Sequence, residues 1–125
     1  MAKVVYIVDD DDAVRDSLQG LLEQRSFETE AFASGRDFLK RYKPDFEGCL
    51  ILDINMPELD GFEVLGRLGP PRTALPVIMI TAQDDQSIES RALDAGATAL
   101  IRKPFVAKRL LALVGAAVER RAVAR

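Results

Sequence analysis

Four apolar runs in this sequence each lead to a residue whose side chain could take part in chemistry. The residues in question are Asp9 with Asp10, Asp53, Thr81 and Lys103. If the runs are strands of one open parallel sheet, these side chains converge, because ligands bind such sheets outside the carboxyl ends of the strands. Carboxylates, a hydroxyl and an ammonium group brought together suit the joint binding of a divalent cation and a phosphoryl group. The pattern therefore predicts a switch driven by phosphate.

The first predicted loop carries four consecutive aspartates, Asp9 to Asp12. Such a loop would repel a directly bound phosphate, and the glycine-rich phosphate-binding patterns are absent from the sequence. A hard cation such as Mg²⁺ or Mn²⁺ between carboxylates and phosphate turns the repulsion into attraction. We therefore predict a metal site with Asp9 and Asp10, whereas Asp11 and Asp12 are expected to cap the following helix. Crowding with Asp53 should raise the pKa of at least one carboxyl and destabilise the fold without the cation.

Asp53 is the candidate nucleophile, because a carboxylate can attack phosphorus and form an aspartyl-phosphate. The metal and Lys103 would neutralise the anionic charges that meet in this attack. Thr81 could donate a hydrogen bond to a phosphoryl oxygen, and Lys103 could pair with the acids when no phosphate is bound. A calcium-binding interpretation of Asp53 with Asn55 fails, since an EF-hand loop needs glycine at its sixth position, where Glu58 stands.

Strand and helix patterns alternate along the chain. The predicted strands are apolar runs at 4–8, 49–52, 77–80 and 99–101, with a charged run at 28–32 that suits an edge strand. Helices are predicted after the acidic loop, after capping candidates Ser34 and Asp60, from about Asp85 to Ala95, and after Pro104. This order predicts an α/β fold with an open five-stranded parallel sheet and helices on both faces.

The composition restricts the class of protein further. The chain has 125 residues, a net charge of −3 and 48% hydrophobic residues, which predicts one domain that favours neither nucleic acid nor an anionic membrane. We place this domain at residues 1–120 and a tail at 121–125. The single Cys49 lies in an apolar run, as a buried thiol in a reducing cytoplasm would. No signal peptide is recognisable, and no run approaches the roughly 20 apolar residues of a membrane helix.

Taken together, these residues resemble the response-regulator receiver domain of bacterial two-component signalling. The resemblance covers residues 3–118, and it implies a (βα)5 flavodoxin-like fold with strand order 2-1-3-4-5. The motifs that carry it are Val8-Asp9-Asp10, Leu52-Asp53-x-Asn55-Met56-Pro57 with Asp60-Gly61, Ile80-Thr81-Ala82, Ala95-Gly96-Ala97 and Lys103-Pro104-Phe105. Each motif alone is weak, but together at these separations they are highly specific.

The resemblance assigns roles to the site residues. It implies that Asp53 is the phosphoacceptor and that Thr81 and Lys103 hold the phosphoryl oxygens. Mg²⁺ would be bound by the carboxylates of Asp10 and Asp53 and by the backbone carbonyl of Asn55. Asp9 would act on the metal mainly through water.

The resemblance also implies partners. The donor would be a sensor histidine kinase or a histidine phosphotransfer protein docking near the first helix. The donor histidine must belong to another molecule, because this chain contains none. Output would use the face of the fourth helix, fifth strand and fifth helix, which also allows a homodimer formed on phosphorylation. Such a domain is not a turnover enzyme, although it catalyses its own phosphorylation and slow hydrolysis.

The sequence departs from the family pattern at one position, and three alternative interpretations of its function remain open. Many receivers carry an aromatic residue three positions before the lysine, where this chain has Leu100, so a ring-based readout is in doubt. The chain could be a single-domain regulator, which we favour slightly, or the receiver of a DNA-binding transcription factor. A Mg²⁺-dependent phosphohydrolase is disfavoured because Asn55, two residues after Asp53, cannot protonate a leaving group. A pseudo-receiver without phosphorylation is disfavoured by the complete set of acids, threonine and lysine.

Overall fold

The computed structural model describes residues 4–69 and 75–123, with side chains in these ranges up to residue 119. Its strands are β1 (Val4–Val8), β2 (Glu28–Phe32), β3 (Gly48–Asp53), β4 (Val77–Thr81) and β5 (Ala99–Arg102). They form one parallel sheet in the order β2-β1-β3-β4-β5. The predicted α/β class and strand order are therefore confirmed.

Five helices alternate with the strands in the described part of the chain. They are α1 (Asp12–Glu23), α2 (Gly35–Arg41), α3 (Gly61–Leu68), α4 (Ser87–Asp94) and α5 (Ala107–Val123). Successive side chains of a strand point to opposite faces of the sheet, so each face has its own apolar core. One core joins β1, β3 and β4 to α2, α3 and α4, and the other joins the sheet to α1 and α5. Helices thus cover both faces, as predicted.

The middle strands read as continuous apolar runs because both of their faces are covered. All six residues of β3 and all five of β4 are buried, whereas the edge strand β2 is only half-buried. Cys49 lies in β3, and burial raises the pKa of its thiol to about 12. The predictions of a charged edge strand and of a buried thiol are both confirmed.

The helix ends follow the capping signals of the sequence with small corrections. Asp11 caps α1, whereas Asp12, which was also expected to cap it, is the first residue of the helix. Asp60 forms a reciprocal capping box with Glu63 at the start of α3. Ser34 accepts a hydrogen bond from the N–H of Asp37, so it acts as an ordinary N-cap. The predicted helix from 85 to 95 is shorter, since α4 begins at Ser87 and ends at Asp94.

The carboxyl ends of α4 and α3 are each followed by a glycine. The N–H of Gly96, at φ 107°, bonds to the carbonyl of Leu93, and the N–H of Ala97 bonds to that of Ala92. These two bonds form a Schellman motif at the end of α4, with Gly96 at the C′ position. Gly69 follows α3. The prolines at 70 and 71, which from the sequence are expected to stop this helix because proline cannot continue one, lie outside the described residues. No helix in the described ranges is long and apolar enough to span a bilayer.

Candidate functional site

The candidate site lies where the chain changes direction across the sheet. From β1 the chain first goes outward to β2 and then returns to β3 on the other side of β1. This reversal opens a crevice at the carboxyl ends of β1 and β3, which is the position where sheets of this kind bind ligands. The register pairs Val8 with Leu52, so the residues that follow β1 stand beside Asp53 at the end of β3.

The three predicted carboxylates meet in this crevice. One oxygen from each of Asp9, Asp10 and Asp53 lies within 4.8 Å of the others. Asp9 and Asp53 are buried, and Asp10 is exposed, so the group opens to solvent on one side. Such a set of hard oxygen donors, with one open side for water and phosphate, suits Mg²⁺ or Mn²⁺.

Asp9 illustrates why a cation fits. Its Oδ1 accepts a hydrogen bond from the N–H of Asp11 at 2.9 Å. Its Oδ2 is buried and makes no hydrogen bond of good geometry within the described part of the chain, although Lys103 Nζ lies 3.0 Å away as an ion-pair partner. A buried carboxylate oxygen with such incomplete partners is a favourable neighbour for a cation or for its bound water.

The ammonium group of Lys103 lies close to two of the three carboxylates. Its Nζ lies 3.0 Å from Asp9 Oδ2 and 3.5 Å from Asp53 Oδ1, which is the pairing expected when no phosphate is bound. Burial alone would lower the pKa of Lys103, but these two carboxylates outweigh burial and raise it. The ammonium group is therefore charged at neutral pH. The peptide bond between Lys103 and Pro104 is cis.

The surroundings of Asp53 disfavour the charged form of its carboxyl group. The pKa of Asp53 is raised from 3.8 to about 6, mainly by burial and next by the neighbouring Asp9 carboxylate. Lys103 and the N–H of Asn55 oppose this shift without cancelling it, and Asp10 adds a small contribution in the upward direction. The predicted rise in the pKa of at least one carboxyl is confirmed, although burial contributes more to it than the crowding of the carboxylates. A cation bound beside Asp53 would relieve this destabilisation.

Thr81 ends β4 and faces the site through its hydroxyl group. Thr81 Oγ1 donates to Asn55 Oδ1 at 3.0 Å and accepts from the N–H of Gln83 at 3.0 Å. A hydroxyl has a single proton to donate. Donation to a phosphoryl oxygen therefore requires that the bond to Asn55 be broken first.

Gly61 is a positioning residue that sequence reasoning noticed only as part of a motif. A Cβ at this position would lie 2.7 Å from the backbone oxygen of Asp53 and 2.9 Å from Cα of Ile54. Its N–H donates to the carbonyl of Ile54 at 2.9 Å. The start of α3 thus lies directly behind the strand end that carries Asp53, and only glycine leaves room for it.

Arg15 was missed by sequence reasoning. Its Nη1 donates to the backbone oxygen of Asp9 at 2.7 Å, and its Nη2 pairs with the carboxylate of Asp12. The available signal was an arginine three residues after the last of four aspartates, at a spacing that places the two side chains on one helix face.

A groove beside the site is bordered by α1 and by the start of α5. It has a volume of about 950 Å³ and is lined by Val14, Leu21, Lys103, Pro104 and Phe105, among others. Lys103 lines the groove and also contacts the acidic group. A partner bound in the groove would therefore lie close to Asp53.

Leu100 occupies the position where many receivers carry an aromatic residue. It is buried in β5, pairs with Met79 of β4, and belongs to the core that includes Ile88 and Ala92 of α4. Two residues on, Arg102 pairs in register with Thr81 and donates to the carbonyl of Gln83 at 2.8 Å. The position thus holds a packed aliphatic side chain in place of a ring.

Comparison with known proteins gives a consistent result. The sequence model described as "Response regulator receiver domain" matches residues 5–115. The chain is 36% identical over 118 residues to "Response regulator protein TodT" of Pseudomonas putida, covering 94% of this chain and 52% of that protein. It is 34% identical over 114 residues to "Transcriptional regulatory protein FixJ" of Bradyrhizobium diazoefficiens, covering 91% of this chain and 56% of the relative. The chain spans about half the length of these curated relatives.

A solved structure agrees over the whole fold. The CheY-like receiver domain protein of Methanospirillum hungatei superposes with a TM-score of 0.90 at 29% identity, and the match covers 100% of both chains. The crevice that holds Asp9, Asp10 and Asp53 therefore lies in a fold already known from receiver domains. By its sequence and its architecture, this chain belongs to the response regulator receiver domain family.

Proposed function

We propose that this domain is a signalling switch that accepts a phosphoryl group on Asp53. The observation that carries the proposal is the position of the Asp53 carboxylate, within 4.8 Å of the Asp9 and Asp10 oxygens and 3.5 Å from Lys103 Nζ. A carboxylate oxygen of Asp53 attacks phosphorus, the bond from phosphorus to the donor nitrogen breaks, and its electron pair returns to the donor imidazole. The domain is a switch that catalyses only its own phosphorylation and dephosphorylation.

We further propose Asp10 and Asp53 as direct ligands of Mg²⁺ or Mn²⁺, together with the backbone carbonyl of Asn55. Asp9 acts through water, which is supported by the bond of its Oδ1 to Asp11 N–H and the contact of its Oδ2 with Lys103. When bound, the cation supplies charge neutralisation between the acids and the phosphoryl group.

Thr81 and Lys103 hold the phosphoryl oxygens in this proposal. Lys103 exchanges its carboxylate partners for phosphoryl oxygens, and the Thr81 hydroxyl exchanges Asn55 for one of them. The second exchange breaks the bond of 3.0 Å between Thr81 and Asn55, so the loop that follows β4 responds to phosphorylation. Asn55 and Gln83 flank this exchange and can tune the access of water to the aspartyl-phosphate.

The proposed donor is a sensor histidine kinase or a histidine phosphotransfer protein, and the proposed location of this domain is the cytoplasm. The chain has no histidine of its own, and the groove between α1 and α5 offers such a partner an approach to Asp53. A homodimer formed on phosphorylation, through α4, β5 and α5, is a further proposal. With a net charge of −3, the domain itself is not expected to contact nucleic acid or a membrane.

A second candidate function is the receiver part of a DNA-binding transcriptional regulator. It is favoured by the curated relatives, which are about twice as long and include one named as a transcriptional regulatory protein. The family match ends at residue 115, which supports a domain boundary close to the proposed residue 120.

We propose that the movement of Thr81 on phosphorylation is transmitted to the output face without the help of an aromatic side chain. Leu100 is packed in the core, so it has no aromatic side chain to swing inward when Thr81 moves. We expect BeF₃⁻ loading to displace the NMR signals of α4 less in the wild type than in Leu100→Tyr. Equal displacement in both proteins would contradict this proposal.

Treatment with acetyl phosphate and Mg²⁺ tests the main proposal. Phos-tag electrophoresis should show a shifted band that disappears with hydroxylamine, which cleaves acyl phosphates, and that is lost in Asp53→Asn. Asp45→Asn removes an exposed acid of another loop and should keep the shift. A missing band in the wild type would favour the pseudo-receiver. Sustained release of phosphate from p-nitrophenyl phosphate would favour a phosphohydrolase.

A further inference from the structure

One side chain of α1 contacts both ends of the acidic loop. Arg15 lies one turn into the helix, and only 17% of its side chain is exposed. Its Nη1 bonds to the backbone oxygen of Asp9 at 2.7 Å, and its Nη2 pairs with Asp12. The two ends of the loop are thereby tied to a single planar guanidinium group, whose fork geometry fixes direction as well as distance.

Arg15 differs in one respect from Lys103, the other cation of the site. Lys103 Nζ contacts carboxylate oxygens of Asp9 and Asp53, which a divalent cation or its water would also use. Arg15 contacts a carbonyl oxygen of Asp9 and a carboxylate outside the proposed ligand set. Lys103 therefore competes with the metal for ligand atoms, whereas Arg15 leaves all of them available.

In the described part of the chain, the other hydrogen bonds between aspartate side chains of the loop and the backbone are short-range bonds to N–H groups. Asp9 accepts from the N–H of Asp11, and Asp11 accepts from Ala13 and Val14. These bonds shape the turn but do not tie the end of β1 to the side of α1. Arg15 makes that connection, and Asp10 lies inside the segment that the connection encloses.

We propose that Arg15 is a positioning residue of the metal site. By holding the Asp9 carbonyl and the Asp12 carboxylate, it keeps the carboxylates of Asp9 and Asp10 close enough to act on one cation, and so increases the affinity for a divalent metal despite its own positive charge. This inference rests on the proposed function, because it presupposes that the acidic group binds Mg²⁺.

The sign of the effect separates positioning from plain electrostatics. If only charge mattered, removing a cation beside an acidic site would tighten Mg²⁺ binding. If positioning matters more, removal weakens binding, and loss of a side chain that orients metal ligands commonly lowers metal affinity by about 10- to 100-fold. The two explanations therefore predict opposite changes in the dissociation constant.

Isothermal titration of the apo protein with MgCl₂ measures this sign. We expect Arg15→Gln to raise the dissociation constant about tenfold. Arg15→Lys should also weaken binding although it keeps the charge, because an ammonium group cannot reproduce the guanidinium fork. Arg25→Gln is the matched control, since it removes the same charge from an exposed residue just past the other end of α1 and should leave the constant within about twofold.

The outcomes are distinct. Binding by Arg15→Gln that equals or exceeds wild-type affinity overturns the positioning role and leaves the proposed function standing. Wild-type protein that binds no Mg²⁺ at millimolar concentration overturns both. Circular dichroism melting of each apo variant shows whether it is folded, and if Arg15→Gln does not fold, Arg15→Lys decides alone, because it keeps the charge: plain electrostatics predicts unchanged Mg²⁺ affinity and positioning predicts weaker binding. A lowered melting temperature with an unchanged dissociation constant would show a structural role alone.

Discussion

Strand β3 begins at Gly48, where two backbones touch, and ends at Asp53, where three carboxylates are crowded together. At Gly48 the backbone adopts φ 129°, and a Cβ would lie 2.0 Å from the carbonyl oxygen of Val4. At Asp53 the carboxyl is buried and its pKa is raised to about 6. The first end is packed so closely that it has one arrangement, whereas at the second end the charged form of Asp53 is disfavoured by burial and by the neighbouring acids. One strand therefore fixes the fold by close packing at one end and, at the other end, carries a carboxyl group whose charge depends on its surroundings.

The largest effect is expected at the amino end of β3. Gly48→Ala forces a side chain into a left-handed backbone region and against Val4, so we expect a loss of more than about 3 kcal/mol of unfolding free energy. Urea denaturation measures it. Gly66→Ala is the matched control, because among the described residues no atom outside the adjoining part of α3 lies within 4 Å of its Cβ position, and it should stabilise by about 0.5–1 kcal/mol. Similar losses in both variants would remove the contrast between a packed and an open glycine.

Mg²⁺ is expected to stabilise the carboxyl end. At a concentration a hundredfold above its dissociation constant, a ligand that binds only the folded state adds about 2.7 kcal/mol. Differential scanning calorimetry should therefore show a melting temperature that rises with millimolar Mg²⁺, more than with Ca²⁺, and far less in Asp53→Asn. A melting temperature that does not move with Mg²⁺ would count against the metal site.

The pH dependence of stability should follow from Asp53. Its pKa is raised above the unfolded value of 3.8, so the folded state holds the proton more tightly, and stability falls as pH rises from about 4 to about 6. Asp53→Asn should remove this fall and stabilise the protein at pH 7 on the order of 1–2 kcal/mol, less than the full shift implies because solvent reaches one side of the site. Unfolding curves at several pH values measure both. An unchanged pH profile in the variant would show that another group is responsible.

The smallest effect is expected at the loop after β4. Arg102 holds this loop by donating to the carbonyl of Gln83 at 2.8 Å and, more weakly, to that of Asp85 at 3.5 Å. Arg102→Gln should lower stability by at most about 1 kcal/mol, since exposed hydrogen bonds contribute little, but should speed hydrogen exchange of the amides at 83–87. Arg109→Gln, an exposed residue of α5, is the control. Unchanged exchange in Arg102→Gln would show that the loop is held by other contacts.

The sequence was sufficient to predict the sheet and the meeting of the reactive residues. Both follow from local rules, since apolar runs buried on two faces form parallel strands and the carboxyl ends of such strands share one edge. The capping role of Asp60 with Glu63 was also readable, because the spacing of a capping box is fixed. These features depend on composition and spacing along the chain.

The remaining details depend on contacts between segments distant in sequence. The bond of Thr81 to Asn55 joins residues 26 positions apart, and the close approach of Gly48 to Val4 requires the register of two strands. The reach of Arg15 to the Asp9 carbonyl depends on how the loop turns into α1. No periodicity carries that information, so only the folded geometry reveals it.

The lone thiol of the protein has a practical consequence. Cys49 lies in the middle of the sheet with no exposed surface and a strongly raised pKa, so it is unreactive while β3 stays paired with its neighbours. A thiol reagent added to the native protein therefore modifies only molecules whose central strand has separated. The rate of labelling therefore measures how often the sheet opens. If a bound cation slowed the labelling, this would show, without any added fluorophore, that the acidic crevice stabilises the interior of the sheet.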